Sequence, residues 1–180
     1  MARSVTFLRL RSALVGLALA IASAAPLGGL LPAARIAHAD TSYAPLEAVL
    51  AQETAAIDLM NADRIANGLS PLEFDPSLAT VARWRSEDMA ARGYFSHDIG
   101  GYQVFQVLRD QGVTYRVAGE NLAYNYYSSE ETAARAERAL MESPSHRDNI
   151  LRSDYTHIGI GVAQAPDGRF LFTQLFKRAW

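Results

Sequence analysis

Cysteine is absent from all 180 residues, so neither disulfides nor thiolate chemistry is available to this chain. That absence does not assign a compartment, because disulfides are permitted outside the cell and never required there. Several catalytic signatures are missing as well. There is no HExxH, no GxSxG nucleophile elbow and no GxxxxGK[ST] phosphate loop. Positive charge is scarce where it would matter for nucleic acid. All 19 acidic residues lie from Asp40 onward and four of the 17 basic ones lie before it, which leaves 13 against 19 and a net charge of −6 for residues 40–180. A domain of that sign has no electrostatic case for a phosphate backbone, and nucleic acid is excluded as a partner.

What is present begins with a change of character near residue 39. Arg3, Arg9 and Arg11 precede an uncharged run from Ser12 to Leu31, and the small-residue triplet Ala37-His38-Ala39 follows. This order is that of a secretory signal peptide, residues 1–39, with cleavage after Ala39 and a secreted or periplasmic product. The alternative is a membrane anchor retained at the N-terminus, since an apolar stretch of about 20 residues can span a bilayer. Pro26, Gly28, Gly29 and Pro32 interrupt the stretch and favour cleavage. Residues 40–180 then form one domain of ordinary size, with no membrane span of its own.

Within that domain the periodicity predicts a helix over 46–66, with Leu50, Ile57, Met60 and Arg64 on one side and Asn61 paired with Arg64 in support of the core. Asp75 and Pro76 open a second helix reaching Arg92, with Leu78, Val81, Ala82, Arg85 and Met89 on its buried side. A loop delivers His97. A shorter helix over 102–111 and a strand over 113–118 follow, and Ser128 with Glu131 has capping-box spacing for a helix reaching Glu142. Residues 156–164 and 169–177 alternate by two around the turn Ala165-Pro166-Asp167-Gly168, as an antiparallel hairpin does. Both faces of the hairpin are apolar, so helices are expected on both. The fold class is therefore α+β, a three-layer α-β-α sandwich around a central antiparallel sheet. Gly159 and Gly161 mark a close approach to one face.

Candidate chemistry rests on His97, Glu120 and His146, which come from three separate glycine- or proline-marked segments. Histidine is an available ligand and base near neutral pH. His157 falls inside a strand and reads as structural. Tyr124 and Tyr126 follow Glu120 in an aromatic-rich segment, where they can wall a cleft, meet a sugar or lipid surface, or pack into the core.

Taken in order, Asn61-Ala62-Asp63-Arg64, Gly68-Leu69-Ser70-Pro71-Leu72, Tyr94-Phe95-Ser96-His97, Gly119-Glu120-Asn121-Leu122-Ala123, Ser143-Pro144-Ser145-His146-Arg147-Asp148-Asn149-Ile150-Leu151 and Tyr155-Thr156-His157-Ile158-Gly159-Ile160-Gly161-Val162 closely resemble the bacterial, cysteine-free branch of the CAP superfamily. That superfamily comprises cysteine-rich secretory, antigen 5 and pathogenesis-related proteins and is also described by its SCP domain. The resemblance spans Leu46 to Phe176. It implies a three-layer sandwich with a surface cleft of two histidines and acidic residues, matched here by His97, Glu120 and His146. The second family glutamate has no match, since nothing around Glu130 and Glu131 repeats its aromatic surroundings. Leu140 stands where tryptophan is usual and Ser145 where glycine is usual, departures that reshape the cleft edge.

Two imidazoles and a carboxylate suit zinc or another divalent cation, with water completing the coordination. The same trio also serves as a hydrogen-bonded network tying three segments together. The expected function is that of an extracellular binding module for a lipid, a cell-envelope glycan or a protein. The alternative is a protease-like or wall-active hydrolase using the same three residues. N-terminal sequencing of exported protein is expected to begin near Asp40; an intact N-terminus recovered in the membrane fraction identifies the anchor instead.

Overall fold

The computed structural model describes residues 45–180; the leader expected over 1–39 lies outside the described residues. The elements are α1 (Leu46–Ala66), β1 (Glu73–Phe74), α2 (Pro76–Arg92), α3 (Val104–Asp110), β2 (Val117–Asn125), α4 (Thr132–Glu142), α5 (Pro144–Ile150), β3 (His157–Gln164) and β4 (Phe170–Arg178). The sheet order is β1-β3-β4-β2. β3 and β4 form the expected hairpin and β2 pairs antiparallel with β4 along nine residues. The sheet is mixed, because β1 pairs parallel with β3. Two residues carry too little period to announce such a strand.

Helix α2 lies on one face of the sheet and α1, α4 and α5 on the other. The division follows the alternation along the hairpin. Ile158, Ile160, Val162, Phe172 and Phe176 pack with Met60, Ala136, Leu140 and Ile150 on the three-helix side. The opposite face of β3 presents Gly159 and Gly161, and α2 fills the space their missing side chains leave. A Cβ at Gly159 would overlap the Leu78–Ala79 backbone, and one at Gly161 the Ala82–Arg83 backbone. The contact is reinforced by Ser86, whose Oγ donates to the Gly161 carbonyl at 2.9 Å and lies 2.9 Å from Thr173 Oγ1.

The ends of α2 are set locally. Asp75 Oδ1 accepts from the Ser77 and Leu78 amides, Pro76 occupies the first turn, and Gly93 closes the helix with φ of +68°. On α1 the buried stripe is Glu53, Ala56, Met60 and Arg64, while Leu50 is exposed. Glu53 explains the shift. Its Oε1 accepts the Val162 amide at 3.1 Å on the edge of β3, and its carboxylate is paired with Arg83 of α2. A carboxylate thus covers part of a sheet edge that would otherwise be open.

Two further expectations are corrected. The strand placed at 113–118 runs instead over β2, so Glu120 sits within a strand whose central residues, Gly119 to Leu122, are buried. α4 begins at Thr132 with no side-chain cap, and Ser128 contributes its carbonyl to the Glu131 and Thr132 amides. The turn before α4 is organised by Asn125, which accepts from Thr132 Oγ1 and donates to the Thr132 carbonyl, so the hydroxyl of Ser128 is not needed.

Gly161→Ala is expected to lower stability by roughly 3 kcal/mol or more, because the obstacle is helix backbone with no rotamer to move; urea denaturation measures it.

Candidate functional site

Arg85 lies on the stripe of α2 that faces the sheet and is completely buried. A guanidinium in that position requires an anion and acceptors for its remaining protons. Glu120, opposite on β2, is the anion, with Oε1 3.3 Å from Arg85 Nε. That distance is an ion pair; the two atoms are not aligned as a hydrogen bond. Arg85 also donates to the Tyr94 hydroxyl at 2.7 Å and to the carbonyl of Ser96. The Tyr94 hydroxyl donates a hydrogen bond to Asp88 Oδ2 at 2.5 Å, and burial and the Asp88 carboxylate hold its phenol above the usual value. The segment from Tyr94 to Ser96 is thereby fastened to α2 immediately before His97.

His97 Nδ1 lies 2.6 Å from Glu120 Oε2, with the imidazole half exposed and the carboxylate side chain 3% exposed. The loop that carries it is closed by Asp98, whose Oδ1 accepts the amides of Gly100 and Gly101 at 2.9 and 2.6 Å, both glycines having φ of +95°.

His146 arrives from the other side. Pro144 opens α5, and Ser143 Oγ lies 2.8 Å from His146 Nδ1. The far end of α5 is held by the buried Arg64, which donates to the carbonyls of Ile150 and Arg152 at 2.6 and 2.9 Å and to that of Ser70 at 3.0 Å. Burial, and then the charge of His97, lower the affinity of His146 for a proton. Asn121 ties the helix to β2 by donating to the His146 carbonyl at 3.0 Å, and Asn149 donates to Asn121 Oδ1 at 2.9 Å. Gly119 is needed here, since a Cβ would overlap the Tyr155 hydroxyl.

The structure joins His97 to Glu120 directly and sets His146 near them through Asn121 and Asn149. Among the described residues no group of three or more His, Asp or Glu side chains is arranged to hold a metal ion. Both Glu120 oxygens are engaged, one by His97 and one beside Arg85. A polar recess of about 270 Å³ adjoins His97 and Glu120, lined also by Gln103, Asn149, Arg152 and Tyr155. Tyr124 lies four residues further along β2, edge-on to Phe95 at 4.8 Å, and Tyr126 is 6.3 Å beyond it. His157 is held by Thr156 at 2.7 Å and lies 3.6 Å from Glu73, outside the cleft.

Arg85, Ser143 and Asn121 were not singled out as site residues by the sequence. Arg85 did leave a signal, as a cation in the middle of an apolar stripe. Glu137 left less. It is buried on α4, accepts from Gln174 Nε2 at 2.7 Å, and has no partner for Oε1. Burial raises its carboxyl to about 8. Gln174 in turn accepts from Asn121, so the network under His146 ends on a protonated acid.

The chain belongs to the CAP family, the cysteine-rich secretory protein family, whose family model matches residues 57–176. The protein YkwD of Bacillus subtilis (strain 168) is 37% identical over 137 residues, which are 76% of this chain and 50% of YkwD; the chain thus spans about half the length of that relative. An extracellular SCP-domain protein from Bacillus anthracis str. Ames has 30% identity and a TM-score of 0.62, covering 72% of this chain and 41% of that one. Manganese-bound Ac-ASP-7 shares the fold with a TM-score of 0.51 at 12% identity, over 72% of this chain and 69% of its own. The matches place the chain among extracellular CAP-domain proteins, and no helix of the described residues is long and apolar enough to cross a membrane.

Glu137 makes stability depend on pH. The folded carboxyl keeps its proton up to about 8 while the unfolded one loses it near the ordinary 4.5. Between those values the folded chain binds more protons, so this group's contribution falls as pH rises and is lowest above about 8. Glu137→Gln is expected to gain on the wild type across that window, by several kcal/mol in order of magnitude at its upper end; denaturation midpoints from about pH 5 to 9 give the difference curve.

Proposed function

We propose that this CAP domain is an extracellular binding module whose cleft takes a divalent cation, conditionally, on His97 and His146. The observation that supports this is the chain from buried Arg85 through buried Glu120 to the half-exposed His97. A carboxylate fixed by a guanidinium accepts a hydrogen bond from His97 Nδ1–H, which leaves the lone pair on Nε2 of the exposed ring. This is the relation by which an outer carboxylate orients a metal-binding histidine, so Glu120 supports the ligand and is not a third one. His146 is placed in the same way by Ser143, and its lowered proton affinity keeps the ring neutral below the usual imidazole range.

Two imidazoles fit a cation such as zinc or manganese, and the rest of its coordination falls to water or to the bound ligand. The manganese held by Ac-ASP-7 on the same fold supports a divalent ion as the class of guest. Bound there, the ion supplies a Lewis-acidic point at which an oxygen of an envelope glycan, lipid headgroup or protein is captured.

Calorimetric titration with zinc and with manganese is expected to show weak binding by the wild type, lost in His97→Ala and in His146→Ala and weakened roughly tenfold or more in Glu120→Gln. Equal binding by wild type and His146→Ala removes that residue from the site. No binding by any of them leaves the trio as a structural network. Turnover of peptides or peptidoglycan fragments that disappears in His97→Ala and Glu120→Ala replaces the binding module with a hydrolase.

A further inference from the structure

We propose that Phe95, Tyr124 and Tyr126 form a platform on which the sugar rings of an envelope glycan stack, leading the chain into the His97 cleft. The proposal rests on the reading of this domain as a binding module and does not require the cation.

The three side chains are 39%, 48% and 63% exposed. They are contiguous, with rings meeting edge to face at interplanar angles of 74° and 89°. Such contacts fix the tilt of each ring and keep the three from collapsing into one flat stack. The base beneath them is rigid. Tyr124 belongs to β2 and pairs with Leu171 of β4, while Phe95 follows Tyr94, itself held by Arg85 and Asp88. A platform ordered before binding loses little entropy when a ligand arrives.

Its chemistry is mixed in the way a saccharide is mixed. Ring faces suit the apolar C–H faces of pyranoses, and phenol hydroxyls lie among them. The Arg169 guanidinium stands 5.5 Å from the Tyr124 ring, anchored by Asp167 at 2.8 Å. Beyond Tyr126 a groove of about 370 Å³ continues past Tyr127, Ser128 and Ser129, whose hydroxyls are donors and acceptors for sugar oxygens. A lipid surface is the poorer match. Residues 40–180 carry a net charge of −6, which repels an anionic bilayer. Phe95 is two residues from His97 in the same loop, and Tyr124 four from Glu120 on the same strand.

The test is titration of the protein with N-acetylglucosamine hexamer and with soluble peptidoglycan strands, followed by tyrosine fluorescence and calorimetry, with and without EDTA. The expected result is binding to at least one of these glycans, unaffected by EDTA. Tyr124→Ala and Tyr126→Ala are each expected to weaken it roughly three- to tenfold, while Tyr124→Phe retains most of it. All three rings are exposed, so thermal melts unchanged from the wild type are expected to show that the variants remain folded. Failure of both glycans to bind, or equal binding by the Tyr124→Ala/Tyr126→Ala double variant, overturns the platform. Binding to neutral phosphatidylcholine vesicles that the double variant loses, with no glycan binding, assigns the surface to lipid and overturns it too. Loss of glycan binding in EDTA overturns its independence from the cation and shifts recognition to the histidine site.

Discussion

Burial of the Arg85 guanidinium is the constraint on which the rest of the site depends. A charge with no exposure to water is tolerable only when an anion and several acceptors surround it, and those partners come from β2 and from the loop after α2. The helix must therefore lie close to the sheet and in one register. Gly159 and Gly161 make that approach sterically open, and Ser86 fixes it with a hydrogen bond into β3. Once α2 is seated, the positions of Glu120 and His97 follow.

The surroundings of the two histidines are built on different principles. Those of His97 are ionic, a relay from a buried cation through a buried carboxylate to an exposed ring. Those of His146 are carried by neutral amides, Asn121, Asn149 and Gln174, with an acid at the end that burial keeps protonated. Such a network orients α5 without adding charge beneath the second imidazole. Arg64 completes it from α1 by accepting the cost of burial in exchange for three carbonyls, two of them at the end of α5 and just beyond it. Each histidine thus has one nitrogen engaged within the protein, and the charge of His97 discourages protonation of His146.

The aromatic residues beyond Glu120 extend the same design outward. Strand β2 carries the buried carboxylate in its middle and exposed tyrosine at its end, so one rigid element presents both polar and apolar features to whatever enters. Pairing with β4 along its whole length keeps these features at fixed spacing.

Much of this was legible in the chain. The period of α2, its Asp75-Pro76 start and its Gly93 stop are local signals, and the helix follows them. The hairpin and its two apolar faces are equally local, as are the glycines that admit a helix, and the ordered motifs identified the family. What local pattern could not carry is anything decided by a partner distant in sequence. β1 is a strand only because β3 offers an edge, Leu50 yields its place on α1 because Glu53 is needed by Val162 and Arg83, and β2 extends beyond the expected segment because β4 pairs with all of it. Residue types likewise named Glu120 as a carboxylate beside histidines. Its role as the support of His97 was decided by the tertiary structure, because only there does a buried Arg85 occupy the other side of the carboxylate.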